Sequence, residues 1–151
     1  MRTYLVVIDE KDEARVALRF AARRAAKTGG TVEILALIEP AAFVQWGGVQ
    51  AAMEEEARLR AEALVAQAAG ELIEETGVRP SITVKQGDPI AIVRALLKER
   101  PDTAALVLGA APTGAPGPLV QHFAGIDAGS MPCPLMIIPG SLDDAALDRL
   151  S

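Results

Sequence analysis

The sequence predicts an α/β domain: a three-layer α/β/α arrangement around a five-stranded parallel sheet. Three observations lead there. Five short apolar runs recur along the chain, and segments of helical period separate them. Most runs are continuously apolar, as strands buried on both faces are. Gly, Pro and Asp fall between the elements, where turns and caps belong. Strands alternating with helices imply right-handed crossovers and a sheet covered on both faces. At 151 residues the chain is read as one domain, residues 1–151, long enough for a sizeable core.

The first run, TYLVVID over residues 3–9, is a buried strand ending in Asp9. Ala14, Leu18, Ala21 and Ala25 then recur at helical spacing, with Asp12 as N-cap and Gly29-Gly30 as the stop. TVEILALI (residues 31–38) is the second strand. A loop containing Pro40, Trp46, Gly47 and Gly48 leads into a long helix over residues 49–76. Its apolar stripe is Met53, Ala57, Ala61, Leu64, Ala68 and Leu72. Glu54 with Arg58 and Glu56 with Arg60 form i,i+4 pairs on its wet face. Gly77 and Pro80 end it, and SITVKQ (81–86) alternates as a third, edge-like strand. In GDPIAIVRALLKERP, Gly87 turns the chain, Asp88 caps, Pro89 takes the first helical position and Pro101 follows the end. Residues 104–109 are a fourth buried strand. A Gly/Pro-rich loop and a short helix over 118–128 follow, then a fifth strand over 134–138. The closing helix carries a capping box starting at Ser141.

Composition excludes several function classes. The formal charge of −5 argues against a general nucleic-acid binder, which needs a basic patch to release counterions. Arg15, Arg19, Arg23, Arg24 and Lys27 cluster, but at the spacing of one solvated helix face. Cys133 is the single cysteine, so no intramolecular disulfide or cysteine-rich metal site forms; between prolines, it is read as packed rather than reactive. No run of about 18 apolar residues reads as a membrane span, and the five apolar residues before Asp9 are too short for a signal peptide. The expected location is the cytoplasm.

In such a sheet a ligand sits outside the carboxyl ends of the strands, where strand order reverses. The ends concerned are Asp9, residues 37–39, and Gly109 onward. LVLGAAPTGAPGPLVQHF (106–123) has the strand, glycine-rich loop and helix layout that cradles phosphates. Its chemistry is thin. Pro112, Pro116 and Pro118 have no N–H, and no Lys or Arg stands between Arg100 and Arg149. Gly109 and Gly114 have Walker spacing, but Ala115-Pro116 replace the required Lys-Ser/Thr. What remains is an anion nest from the N–H groups of Gly114, Ala115, Gly117 and Leu119, with His122 as the only charge available.

VVID at the end of the first strand, QGDPIAIVRALL, and LVLGA followed by PCPLMIIPG, in this order and spacing, resemble the universal stress protein family over essentially the whole chain. The resemblance implies a Rossmann-like sheet of order 3-2-1-4-5. It also implies homodimers through the last strand, here Leu135, Met136, Ile137 and Ile138, an apolar edge that needs a cover. Members that bind ATP carry Gly, two residues, Gly, nine residues, then Gly with Ser or Thr after the fourth strand. The first strand's Asp and the end of the second strand meet the adenosine. Asp9, Leu37 and Gly109 match these positions. Pro112 replaces the second glycine, and Gln121-His122 stand where Gly-Ser/Thr is expected.

Other candidates are read from their surroundings. Asp9 is either a ribose or adenine contact, a metal ligand with Glu10, or a strand-end carboxylate satisfied locally. Lys11 and Arg15 either lend positive charge to the same crevice or are solvated residues of the first helical turn. His122, the sole histidine, has no nucleophile or second histidine beside it and reads as structural or solvent-facing. Trp46 lies near the crevice mouth, packed against the start of the long helix, covering a flat ligand or forming part of a partner surface. A phosphoacceptor receiver domain is rejected because no Lys ends the fifth strand. No Gly-x-Gly-x-x-Gly follows the first strand, against dinucleotide binding. No nucleophile has a positioned base, so no catalytic residue and no metal site is assigned. The expected function is a non-enzymatic, homodimeric stress-response or regulatory protein, with an unidentified protein partner and without the family's ATP binding or any other cofactor. The alternative is an ATP- or AMP-binding regulator, with magnesium, using a variant loop.

Overall fold

The computed structural model describes residues 1–38 and 47–151. Its strands are β1 (Thr3–Ile8), β2 (Thr31–Ile38), β3 (Ser81–Gln86), β4 (Thr103–Ala110) and β5 (Leu135–Pro139). They form one parallel sheet in the order β3-β2-β1-β4-β5. The helices are α1 (Asp12–Thr28), α2 (Gly47–Thr76), α3 (Pro89–Glu99), α4 (Pro118–Phe123) and α5 (Asp144–Leu150). The expected strand order is therefore the observed one, and the order reverses between β1 and β4.

Alternate residues of each strand feed two cores. Tyr4, Val6 and Ile8 of β1 pack with Val32, Ile34 and Ala36 of β2 under α1, α2 and α5. Leu5 and Val7 pack with Leu35, Leu106 and Leu108 under α3 and α4. Small Ala17, Ala21 and Ala25 let α1 lie close on the central strands, the common reason for alanine on a buried helix face. Glu33 is the exception inside an apolar strand. It is 4% exposed, and its carboxylate accepts from Arg100 Nε at 2.8 and 3.1 Å and from the Thr83 hydroxyl at 3.2 Å. A buried carboxylate is tolerated only with such partners.

Several boundaries differ from the sequence reading. Lys11, not Asp12, holds the N-cap position of α1 and caps nothing with its side chain; Asp12 and Glu13 occupy the first turn, where the dipole favours anions. Gly29 ends α1 in the left-handed region at φ 68°, as its sequence position suggested. Met53 faces solvent rather than the core, because the buried stripe of α2 begins only at Val65. Of the two expected pairs on α2, Arg60 meets Glu56 at 3.4 Å, while Glu54 accepts instead from Gln50. The capping residue of α5 is Asp143, which accepts from the Ala146 N–H at 2.9 Å; a turn closed by Leu142 N–H on Pro139 O moves Ser141 out of that role.

Helix α4 stops at Phe123 instead of running to 128. The carbonyl of His122 takes the N–H groups of both Gly125 and Asp127, and a Cβ at Gly125 would stand 2.7 Å from Gln121 O, so the chain doubles back there. The basic stripe of α1 is likewise not only solvated. Arg23 reaches Asp148 and Asp144, Lys27 donates to Asp148 O and the Ser151 hydroxyl, and Arg24 donates to Ser151 O. These contacts seat α5 on α1, and Leu147 beneath them is 1% exposed.

Gly109 near the end of β4 has a strict steric reason. A Cβ there would lie 2.1 Å from the carbonyl oxygen of Glu13 and 2.5 Å from its carbon, both backbone atoms of the first turn of α1. Gly109→Ala is expected to destabilise the domain by about 2–4 kcal/mol or to prevent folding, since overpacking against backbone cannot be relieved by a rotamer change. Urea unfolding of the variant checks this; a change below about 0.5 kcal/mol would contradict the packing role.

Candidate functional site

A cleft of about 510 Å³ opens at the carboxyl ends of β1, β2 and β4. Val7 and Ile8 of β1, Ala36, Leu37 and Ile38 of β2, and Leu108 and Gly109 of β4 form its floor. One wall is Ala57, Ala61 and Leu64 of α2; the other is the segment Pro116, Gly117, Pro118, Leu119 and Val120 at the start of α4. Asp9, Glu10, Lys11, Glu13 and Arg60 supply its charged groups. The position is the one that an α/β sheet reserves for ligands, beside the reversal of strand order.

Asp9 stands just past β1. Its Oδ1 accepts from the Lys11 N–H at 2.8 Å, which fixes the turn into α1. The carboxyl is held above its ordinary value. Burial is the largest cause, the Lys11 N–H and charge oppose it, and the neighbouring Glu13 and Glu10 add to it. Glu10 turns toward Arg60, 3.7 Å away, so the two adjacent carboxylates do not converge as metal ligands. Among the described residues no three His, Cys, Asp or Glu side chains gather as a metal cage.

The Gly/Pro loop folds on itself. Ala111 N–H donates to Pro116 O at 3.2 Å, and Gly114 and Gly117 take φ of 74° and 119°, values that favour glycine. Its tip lies toward β5: Pro112 Cδ would be 3.2 Å from a Cβ at Gly140. Only residues from Pro116 onward line the cleft, so the loop leaves it unfilled. The four amides of the expected nest are thereby divided. Gly117 and Leu119 face the cleft; Gly114 and Ala115 are not among its lining.

His122 is placed elsewhere. Its Nε2 lies 2.9 Å from Arg94 and 3.0 Å from Asp127, on the contact between α3 and α4, and it does not line the cleft. Arg94 grips Asp127 through Nε and a second nitrogen at 2.7 and 2.8 Å. The guanidinium holds the Asp127 carboxyl down at about 2. The cluster pins the turn after α4. Cys133 packs against the α3–α4 core, and burial pushes its thiol up. Trp46 lies outside the described residues.

The structure thus brings Asp9, Leu37, Gly109 and Gly117 together and leaves Gly114 and His122 apart from them. The sequence reading missed the α2 wall. Ala57, Ala61 and Leu64 share one face with Arg60 beside it, but spacing alone does not tell a core stripe from a cleft wall. Leu135, Met136, Ile137 and Ile138 lie on β5 at the end of the sheet, paired on one side with β4. Among the described residues no helix is long and apolar enough to cross a membrane.

Comparison with known proteins agrees with this fold. The sequence profile described as the universal stress protein family matches residues 1–139, all but the segment carrying α5. Among solved structures, a universal stress protein UspA from Lactobacillus plantarum is similar at TM-score 0.75 and 18% identity, over 91% of this chain and 97% of that one. A universal stress protein from Archaeoglobus fulgidus in complex with dAMP is similar at TM-score 0.62 and 20% identity, over 91% and 97%. A family protein from Arabidopsis thaliana with AMP bound is similar at TM-score 0.57 and 16% identity, over 92% of each chain. At these identities the structural likeness carries the fold alone. No curated protein matches the sequence.

The raised Asp9 carboxyl links stability to pH. A carboxyl raised in the folded state favours folding while protonated and opposes it once the pH climbs through its folded value. Asp9→Asn keeps an oxygen for the Lys11 N–H and removes the charge. It is expected to unfold at a higher temperature than the parent at neutral pH, with the gain vanishing at about pH 3. Thermal melts at both pH values check it; no gain at neutral pH would place Asp9 in an unstrained setting.

Proposed function

This chain belongs to the universal stress protein family, and on that premise we propose that it is a non-enzymatic, homodimeric regulatory protein of the cytoplasm that does not hold ATP through the family loop. One observation carries the reading. The end of the cleft where phosphates would lie is lined by Pro116, Gly117, Pro118, Leu119 and Val120, and two of those five residues have no N–H to offer. No lysine or arginine between Arg100 and Arg149 supplies counter-charge. Gly109, the one loop glycine that fits the ATP pattern, is accounted for by its contact with α1.

A second reading keeps ATP or AMP, with magnesium, as the ligand. What favours it is the cleft itself, open at about 510 Å³ with Asp9 on its rim. Titration calorimetry of ligand-stripped protein with magnesium ATP separates the two. No saturable heat up to millimolar ATP is expected, and micromolar binding lost in Asp9→Ala would reverse the preference.

For the dimer, the support is the outer side of β5, which ends the sheet with Ile137 41% exposed. An apolar edge strand is normally covered or blunted by charge. Light scattering is expected to report twice the chain mass for the parent and one chain mass for Ile137→Lys. A parent that stays monomeric would remove the β5 pairing from the proposal.

A further inference from the structure

Helix α2 is apolar on two opposite faces. Val65, Ala68, Ala69 and Leu72 enter the core. Leu59, Ala63, Ala66, Gly70 and Ile73 form a second stripe on the far side, and all five are exposed. Leu59 and Ile73, at its two ends, are 56% and 40% exposed. The stripe advances by four and three residues in turn, the repeat that keeps a seam facing another helix. An outer helix face that stays in water carries polar and charged residues instead.

The side chains beside the seam define what fits it. Arg60, Gln67 and Glu74 follow one another along one flank. The Arg60 side chain is 57% exposed, and Glu74 is exposed as well. Set antiparallel to itself, the helix brings Arg60 of each copy to Glu74 of the other, with Gln67 meeting Gln67 between them. The same register seats Ile73 on Ala63, Ala66 on Gly70, and Leu59 on Gly77 just past the helix end. Every layer then sets large against small or small against small, so the axes can approach to about 8 Å. A parallel pair would stack Leu59 on Leu59 and Ile73 on Ile73, and hold the alanines apart over a void.

We infer that the outer face of α2 binds a second copy of this chain as an antiparallel helix pair, closed by two Arg60–Glu74 contacts. This surface is separate from the β5 edge. Helix α2 packs over β2 and β3, at the opposite end of the sheet from β5. One chain can therefore use both, and two different twofold contacts link dimers into tetramers or longer assemblies. Five modest side chains per copy make a small contact, below about 1,200 Å², so it forms at high chain concentration and dilute solution shows the β5 contact alone.

The test is sedimentation equilibrium of Ile137→Lys protein, which lacks the β5 contact, from about 10 μM to about 1 mM chain. The mass is expected to rise from one chain toward two. Arg60→Glu replaces two ion pairs by two like-charge pairs and is expected to weaken association about tenfold; adding Glu74→Arg is expected to restore it. With Cys133→Ser, oxidation of Ala63→Cys/Ile73→Cys protein is expected to give cross-linked dimers. Ala63→Cys alone is expected to give none, because the two copies of residue 63 lie about 15 Å apart along the antiparallel pair. A mass that stays at one chain throughout overturns the inference. Cross-linking through Ala63→Cys alone, no cross-linking in the double variant, or a charge swap that fails to restore association does the same. A parent that is monomeric when dilute but doubles in mass at high concentration removes the β5 contact and leaves this one standing.

Discussion

The first turn of α1 crosses the end of β4 so closely that the carbonyl of Glu13 occupies the place where a Cβ of residue 109 would be. Much of the functional end of the molecule depends on that contact. It locks α1 over the junction between β1 and β4, where the strand order reverses. It also forces the chain between Ile8 and Asp12 into a tight exit, closed by the Asp9 carboxylate on the Lys11 N–H. Asp9, Glu10, Lys11 and Glu13 are thereby delivered to one rim of the cleft. Glycine at 109 is thus demanded by backbone packing, independently of any ligand.

The rest of the domain holds that junction from two sides. On one face, α5 is drawn onto α1 by Arg23, Arg24 and Lys27, and Leu147 enters the core that Tyr4, Val6 and Ile8 share. The exposed ion pairs contribute little individually; the buried leucine supplies the larger part, and the charges orient it. On the other face, Arg94 clasps Asp127 and fixes the turn that cuts α4 short after Phe123. The Gly/Pro loop lies between these anchors. It closes on itself through Ala111 and Pro116 and turns its tip toward Gly140. The cleft is left open in front of it, with Pro116 and Pro118 among the residues of that wall.

Local signals were legible wherever one residue type carries one physical constraint. Gly29 and Gly77 end helices in the left-handed region, and Asp88 with Pro89 opens α3 with the expected cap on the Ala91 N–H. The readings that failed depended on which hydrogen-bond and packing partners each group finds in the folded chain. Asp12 is not the N-cap because the helix starts one residue earlier, with the Ala14 N–H bonded to the Lys11 carbonyl. Ser141 lost it to Asp143 through a two-residue shift in a turn. The predicted length of α4 ignored Gly125, which is explained only by the carbonyl of Gln121 behind it. His122, read as structural or solvent-facing and as the one counter-charge available to the loop, is held by Arg94 of α3 and Asp127 away from the cleft.

By itself the sequence determined the five strands and their buried character, the family and its strand order, and the poverty of the loop in donors and cations. The strands follow from apolar periodicity, the strand order from the family resemblance, and the poverty of the loop from the missing N–H of proline and the absence of lysine and arginine. Only the tertiary structure decided which of the candidate residues meet. Asp9, Leu37, Gly109 and Gly117 come from four separated segments and share one cleft with Ala57, Ala61 and Leu64 of α2, while Gly114 and His122 do not join them. Convergence of this kind is set by how helices pack across a sheet, a long-range steric outcome that residue spacing along the chain does not encode.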